Sequence, residues 1–448
     1  MVHGAVHTLF RSLAACVTLL LCGVAVLAWR LSDGPITIDF LAPYVSDAIS
    51  DENEGIVFEV QGATLAWGGM QSTPNITVQD VMAVDSDGNV IASFPEMLVR
   101  LSMASILEGS PAPKEIVLEN PVVRLTRSKN GAILLGLELK YDPNLSETGA
   151  TGMDAPQAGA TTEGSANQLL NIVVRALTDP GGSGNRAGYL DRVVIQNSTV
   201  VFSDDASGSE WLVPSGDISL ERQQGDLRIA ANLPYLNSGR TSNVEVNGTY
   251  VVETSALSLN VDFEGVRPAS FSVLTPQLSI LSGVELDVDG ALSLGLTLNS
   301  SSVVVDLAQL TVERGRGTLS MQSPVDRTYP IERFEMIASA RNQFDQISIS
   351  GFELMIPDGG PVVELTMEGN DLLKQPDIDL DIRIDSVSLA DLKAYWPQDI
   401  KPNTRRWITS NLASGEITDA KFDVMLAGAS LSGLKVSDLK VTARLAGI

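Results

Sequence analysis

The chain has 448 residues, with 55 acidic against 30 basic side chains and a formal net charge of −25. That balance excludes a nucleic-acid partner, whose phosphates need a basic surface, and it keeps the exterior strongly hydrated. Hydrophobic residues reach 44% while aromatics are only 5%, and 38 glycines punctuate the Val, Leu and Ile runs, which excludes global disorder and points to strands and turns.

Cysteine occurs only as Cys16 and Cys22, and histidine only as His3 and His7. The body therefore has no disulfide framework, no cysteine metal site and no Ser-His or Cys-His nucleophile. No metal or cofactor is expected, and the chain is not expected to be an enzyme.

Ser12 to Trp29, "SLAACVTLLLCGVAVLAW", carries no charge and is bracketed by Arg11 and Arg30. As a helix it rises about 27 Å, against roughly 30 Å for a bilayer's hydrocarbon core, so it can span. A cleavable signal peptide, cut after the small residues Val26 and Ala28, is the rival reading. Arg11 precedes the segment and six acids between Asp33 and Glu54 follow it. This places the amino terminus in the cytoplasm and the body across the membrane.

Past the anchor, Ile38, Leu41, Val45 and Ile49 fall at helical spacing, and from Ile56 the period becomes two. "DSDGN" at 85–89 separates two strand-like runs and reads as a hairpin turn. It also resembles the start of a calcium loop with Glu96 at the twelfth position, but Val90 stands where that loop needs glycine. Residues 141–167 are rich in Gly, Ala, Thr, Ser and Pro without apolar period and read as a flexible linker. A helix follows, with Leu169, Leu170, Val173, Val174 and Leu177 inward and Pro180 as its stop. "IVLENPVVRL" from Ile116 repeats as "VVIQNSTVVF" from Val193, with Asn120 matching Asn197, which suggests a unit that grows by stacking.

The remainder alternates. Val284, Leu286 and Val288 oppose Glu285, Asp287 and Asp289, while Ile378, Leu380, Ile382 and Ile384 oppose Asp377, Asp379, Asp381, Arg383 and Asp385. Each such strand has one dry and one wet face. Either a closed sandwich seals the dry faces, or a long sheet leaves them on its concave side. Near the end, "SVSLADLKAYWP" and "KPNTRRWITSNLASG" read as two short helices, the second with Pro402 at its start and Gly415 beyond its end. Trp407, Ile408 and Leu412 share one side of it, with Lys401 and Arg405 outward. This insert either packs on the sheet or touches lipid headgroups through Trp396, Trp407, Arg405 and Arg406.

The order of these features resembles the AsmA-like superfamily: an anchor, a short helix with "LAPYVSDAI", the unit "MLVRLSMASILEGSPAPKEIVLENPVVRLTRSKNGAILL" and a long β region. "AYWPQDIKPNTRRWITSNLASGEITDAKFDV" resembles a stretch typical of its YhdP branch. The resemblance implies a mainly β protein with an N-terminal transmembrane helix and a long, curved, repetitive antiparallel β-sheet. That sheet would form an open β-groove with a few short helices. The implied organisation is cytoplasmic end and anchor at 1–30, helix plus β-unit at 31–140, linker at 141–167, and groove at 168–448 with the helical insert near 388–414. Members of this branch are commonly longer, and the sequence stops mid-pattern at "VTARLAGI", so a shortened form or a fragment is expected. The implied role is phospholipid transfer between inner and outer membrane in support of envelope integrity. The body would lie in the periplasm, with the inner membrane and outer-membrane or periplasmic proteins as partners.

Candidate lipid-contacting residues are then Val284, Leu286, Val288, Ile378, Leu380, Ile382, Ile384, Trp396 and Trp407, with Arg405 and Arg406 for headgroups. The alternative is a non-enzymatic scaffold or tether for outer-membrane assembly with a closed β core. A carboxylate hydrolase acting on envelope polysaccharide fits less well, because the acids fall on wet strand faces as solvating residues do.

Overall fold

The computed structural model describes residues 57–66, 75–84, 90–108, 112–127, 133–138, 173–178, 187–204, 209–237, 240–272, 276–299, 302–321, 327–396, 402–412 and 414–447, with isolated positions between 30 and 46. The expected anchor at 12–29, the linker at 141–167, the turn at 85–89 and Lys401 lie outside them. Among the described residues no helix is long and apolar enough to cross a membrane. The protein is mainly β and divides into two compact units, residues 1–203 with 215–223, and residues 204–214 with 224–448.

In the first unit β1 (Ile36–Thr37), β2 (Val57–Ala66), β3 (Asn75–Val84), β4 (Val90–Leu101) and β5 (Pro113–Glu119) form an antiparallel meander. The strands flanking 85–89 pair as the hairpin reading requires. Ala63, Ile76, Val78, Val81, Met97 and Val99 bury their side chains together with Ile38 and Ala42, so here the dry face is sealed.

β6 (Val122–Arg127) and β7 (Ile133–Glu138) pair antiparallel, and β8 (Arg192–Asp204) runs parallel to β5. The register of that parallel pair is the register of the sequence repeat: Ile116 faces Val193, Val117 faces Val194, Leu118 faces Ile195 and Glu119 faces Gln196. Asn120 and Asn197 both adopt left-handed backbone, φ 53° and 52°, and Asn197 Nδ2 donates to Asn120 Oδ1 at 2.5 Å. Asparagine tolerates that conformation better than most residues, which explains its place in both copies. The repeat thus lays two copies side by side. It also draws β8 into the first unit, so the division between units falls after the linker rather than at it.

The described helix at 173–178 buries Ala176 and Leu177. β9 spans Ser209–Gln223, and its residue Arg222 closes the end of that helix. The guanidinium donates to the carbonyls of Leu177 (2.7 Å, Nε), Gly188 (2.7 Å, Nη1) and Ala176 (2.5 Å, Nη2). Carbonyls at a helix C-terminus have no partner within the helix, and a cation there also meets the negative end of its dipole.

The second unit is an antiparallel meander of eleven long strands: β10 (Asp226–Asn237), β11 (Arg240–Val251), β12 (Ala256–Val266), β13 (Val284–Asn299), β14 (Ser302–Met321), β15 (Arg327–Arg341), β16 (Gln346–Met355), β17 (Val362–Asn370), β18 (Asp377–Ser388), β19 (Glu416–Ala427) and β20 (Lys435–Ala446). Each pairs with the next. Alternate crossings of a meander fall at opposite strand ends. One end carries the 3-10 turns Pro268–Phe271 and Pro276–Gly283 and the helices Leu392–Tyr395 and Pro402–Asn411. The other end has short connections at 252–255, 342–345, 371–376 and 428–434.

Replacing Arg222 with Ala leaves three carbonyls without their donor. The expected loss is about 2 kcal/mol of stability, read as a lower urea midpoint with the m-value unchanged.

Candidate functional site

Pairing across the second unit aligns its apolar residues into rows. One row runs Ala231, Val246, Val261, Leu292, Leu310, Ala338, Ile349, Met367, Leu380, Val424, Leu439, with one residue from every strand. A second row beside it includes Leu259, Leu294, Ile347, Ile378 and Leu426 and is likewise free of polar residues across all eleven strands. At about 4.8 Å per strand the rows extend roughly 50 Å, and with about 7 Å between rows they cover on the order of 700 Å². Monomeric proteins seldom expose contiguous apolar patches beyond about 600 Å².

The face is open. Ten residues of the first row are half-buried and Leu439 is exposed, whereas a sandwich would seal the centre of such a row. Along the reverse face run Asn247, Asn260, Ser293, Gln309, Ser339, Ser348, Glu368 and Asp379. Ser293 and Asn260 are 2.8 Å apart there, as are Ser339 and Ser348 at 2.9 Å.

Strict alternation would not keep these faces apart over strands this long. Ile347 and Ile349 in β16 give way to Phe352 and Leu354 on the same side because Ser350 is bulged out. In β14 the parity changes between Val312 and Gly315. Each bulge adds one residue and returns the following apolar residues to the dry side. Asp289 fastens two such irregularities. Its Oδ1 accepts from the N–H of Gly265 at 2.8 Å, where β12 turns left-handed at φ 64°, and its Oδ2 accepts from Arg314 Nε at 2.9 Å. The Gly265 N–H first, and Arg314 second, hold the Asp289 carboxyl below its ordinary pKa. At Gly290, a Cβ would lie 2.1 Å from the Thr311 carbonyl and 3.0 Å from the Phe263 ring, so only glycine lets these strands meet.

The candidate residues separate into three groups. Ile378, Leu380 and Ile382 stand half-buried on the open face, opposite Leu426, Val424 and Phe422, while the half-buried Ile384 packs against the core of the helical insert. Leu286 and Val288 are elsewhere: with Val266, Val312, Ile331 and Leu354 they form a sealed cluster, and Val284 packs against it. The 3-10 segment 276–283 precedes β13 at this strand end, and Phe271 of the neighbouring turn joins the same cluster. The third group is the helical insert. Val387, Leu389 and Leu392 form its core, with Trp396, Ile408 and Leu412 against them, and Tyr395 stacks on Tyr329 at 6.0 Å between ring centroids. Two orientations differ from the helical-wheel reading. Arg405 turns inward and donates from Nε to the Trp396 carbonyl at 2.9 Å, which ties the two helices together. Trp407 turns outward and is 61% exposed, beside the exposed Arg406.

A hollow of about 710 Å³ opens on the wet face. Glu335, Glu353 and Glu364 lie in one row there, followed by Arg383 and Lys421. Arg333 contacts Glu335 at 2.7 Å and Glu353 at 3.1 Å. Bulged strands bend locally, which gives the polar side this hollow. Among the described residues no group of three or more His, Cys, Asp or Glu could hold a metal. No protein-family model, no curated protein and no solved structure matches the chain.

Two outcomes check this partition. Leu286→Ala should cost about 3 kcal/mol, because it empties a sealed site, and Leu380→Ala about 1 kcal/mol, because its neighbourhood is already half-solvated; paired urea titrations give both. Asp289→Asn should cost about 1 kcal/mol at pH 7. Asp289 has a depressed folded pKa, so its contribution is complete above the unfolded value near 3.9 and disappears as pH falls through the folded value. The gap between wild type and variant should therefore narrow as pH falls below the ordinary carboxylate range.

Proposed function

We propose that this chain is a membrane-anchored, non-enzymatic lipid-transfer protein of the AsmA-like kind, whose second unit shelters phospholipid acyl chains against its open apolar face. The observation that carries the reading is the first apolar row, which crosses eleven strands with ten residues half-buried and one exposed, beside a second apolar row. A soluble protein that kept so large a face wet would lose the burial free energy of every side chain on it. A lipid tail restores that burial. Each sheltered methylene contributes about 0.8 kcal/mol, so a run of ten offsets about 8 kcal/mol of the cost of leaving a bilayer.

In this reading residues 12–29 hold the chain in the inner membrane and the body works in the periplasm, moving phospholipid towards the outer membrane. Headgroups remain in water, and the wet face with its paired charges keeps the protein soluble. No catalytic step is involved. The sealed clusters at one strand end act as a wall that fixes the border of the lipid path. Trp407 and Arg406, both directed outward from the insert, are the headgroup contacts at that border, while Arg405 keeps the insert folded.

Photo-crosslinkers placed at Ile349, Leu380 and Val424 in cells producing the full chain should capture phospholipid, whereas Asp379 and Asp381 should not. Equal labelling of both faces, or none at a normal protein level, would overturn the proposal and leave a tether or scaffold as the account. Leu380→Asp should fold and reduce capture at Ile349, since the face it interrupts is not a sealed core.

A further inference from the structure

The strand end opposite the wall has its own pattern. Three alternate connections, joining β15 to β16, β17 to β18 and β19 to β20, each present one large apolar side chain to solvent. These are Phe344 at 48%, Leu373 at 64% and Leu431 at 53% exposure. Successive members of the set are two strands apart, about 10 Å.

These tips are held in place. Asn342, Gln343 and Phe344 are three consecutive residues with left-handed backbone, φ 50°, 57° and 67°. A bulky aromatic residue rarely adopts that conformation, and strain of this kind persists only where surrounding contacts enforce it. The contacts are lateral. Gln343 N–H donates to the Val305 carbonyl at 2.9 Å. Leu372 N–H donates to the Asp345 carbonyl, and Leu373 N–H to Asp345 Oδ1, both at 3.0 Å. Gly428 N–H donates to the Pro376 carbonyl at 3.1 Å. The connections are thus stitched to their neighbours along the sheet. While Leu372 is buried beneath the turn, Leu373 beside it points away.

Charge adds a second observation. In a chain of net charge −25, each tip has a basic residue nearby, Arg341 before Phe344, Lys374 after Leu373 and Lys435 after Leu431, and these offset Asp345 and Asp371 so that no connection carries net negative charge. All three basic residues are exposed. Isolated apolar points separated by polar backbone make a poor protein interface, which needs a contiguous packed centre. They fit a bilayer interface, where depth alone matters and each cation meets a phosphate. The residues just inside these turns, Ile347, Ile378, Leu426 and Val436, belong to the second apolar row.

We propose that this rim docks on a phospholipid bilayer, with Phe344, Leu373 and Leu431 dipping into the interface so that the edge of the apolar face meets the membrane. Its use for lipid entry rests on the transfer function above; the docking itself does not.

The test uses the full chain with Cys16→Ser and Cys22→Ser, carrying one cysteine at 344, 373 or 431 labelled with a polarity-sensitive fluorophore. It is reconstituted into phosphatidylethanolamine–phosphatidylglycerol vesicles containing lipids brominated near the headgroup end of the acyl chain. Labels at the three tips should shift to the blue and be quenched about twofold, as for shallow insertion. Labels at Thr254, a polar connection on the same strand end, and at Asp358, on the opposite end, should stay unquenched. Phe344→Ser with Leu373→Ser should reduce quenching of the label at 431, which separates docking from the dye's own affinity for lipid. Absence of quenching at the tips overturns the proposal. So does a blue shift without quenching that grows with protein concentration, which would assign the rim to a second copy. Capture of lipid at Leu380 without quenching would sink the docking alone, and quenching without capture would sink the lipid path alone.

Discussion

Hydrogen bonding in the second unit forces neighbouring strands into a fixed register, and that register decides which side chains share a face. A single residue of slip on one strand would send its leucines and isoleucines to the wet side. Eleven consecutive strands avoid this, although several are too long and too twisted to hold a strict period of two. They manage it by bulging, at Ser350 in β16 and between Val312 and Gly315 in β14, and by fastening irregular points with a carboxylate such as Asp289. Continuity of the apolar rows, the wall at one strand end and the ordered rim at the other all depend on that register.

The two units solve the same problem differently. In the first, Val78, Val81, Met97 and Val99 are sealed with Ile38 and Ala42, and Arg222 secures the end of the helix at 173–178. In the second, the two sealed clusters lie at one strand end, where Leu286 and Val288 meet Ile331 and Leu354, and where Val387 and Leu389 meet the helical insert. Arg405 shows how this insert uses charge: its guanidinium serves a backbone carbonyl, and the side chains left outside are Arg406 and Trp407.

Much of this was legible in the sequence. The alternation of Ile378 to Ile384 against their acids is an intact strand face, and the pair Asn120 and Asn197 marked two copies whose alignment proved to be their spatial register. Pro402 and Gly415 bracketed the second helix of the insert. What the sequence could not convey was which alternating strand is covered. Leu286 and Leu380 sit in indistinguishable local patterns, and only the connection preceding β13 places a cover near the first. Parity changes were also invisible, because a bulge is a property of two paired strands and leaves only a local break in the pattern of one. The inward turn of Arg405 escaped a helical wheel because its partner, the Trp396 carbonyl, belongs to another element.

An antiparallel meander whose crossings alternate between ends is modular in increments of a hairpin. Two added strands lengthen the rows by about 10 Å and return the chain to the end it left, without disturbing the cross-section or the wall. Span is therefore a dial that duplication or deletion of a hairpin can turn in discrete clicks, each leaving the dry and wet surfaces in phase. Proteins built this way can be matched to compartments of different width without redesigning a single turn.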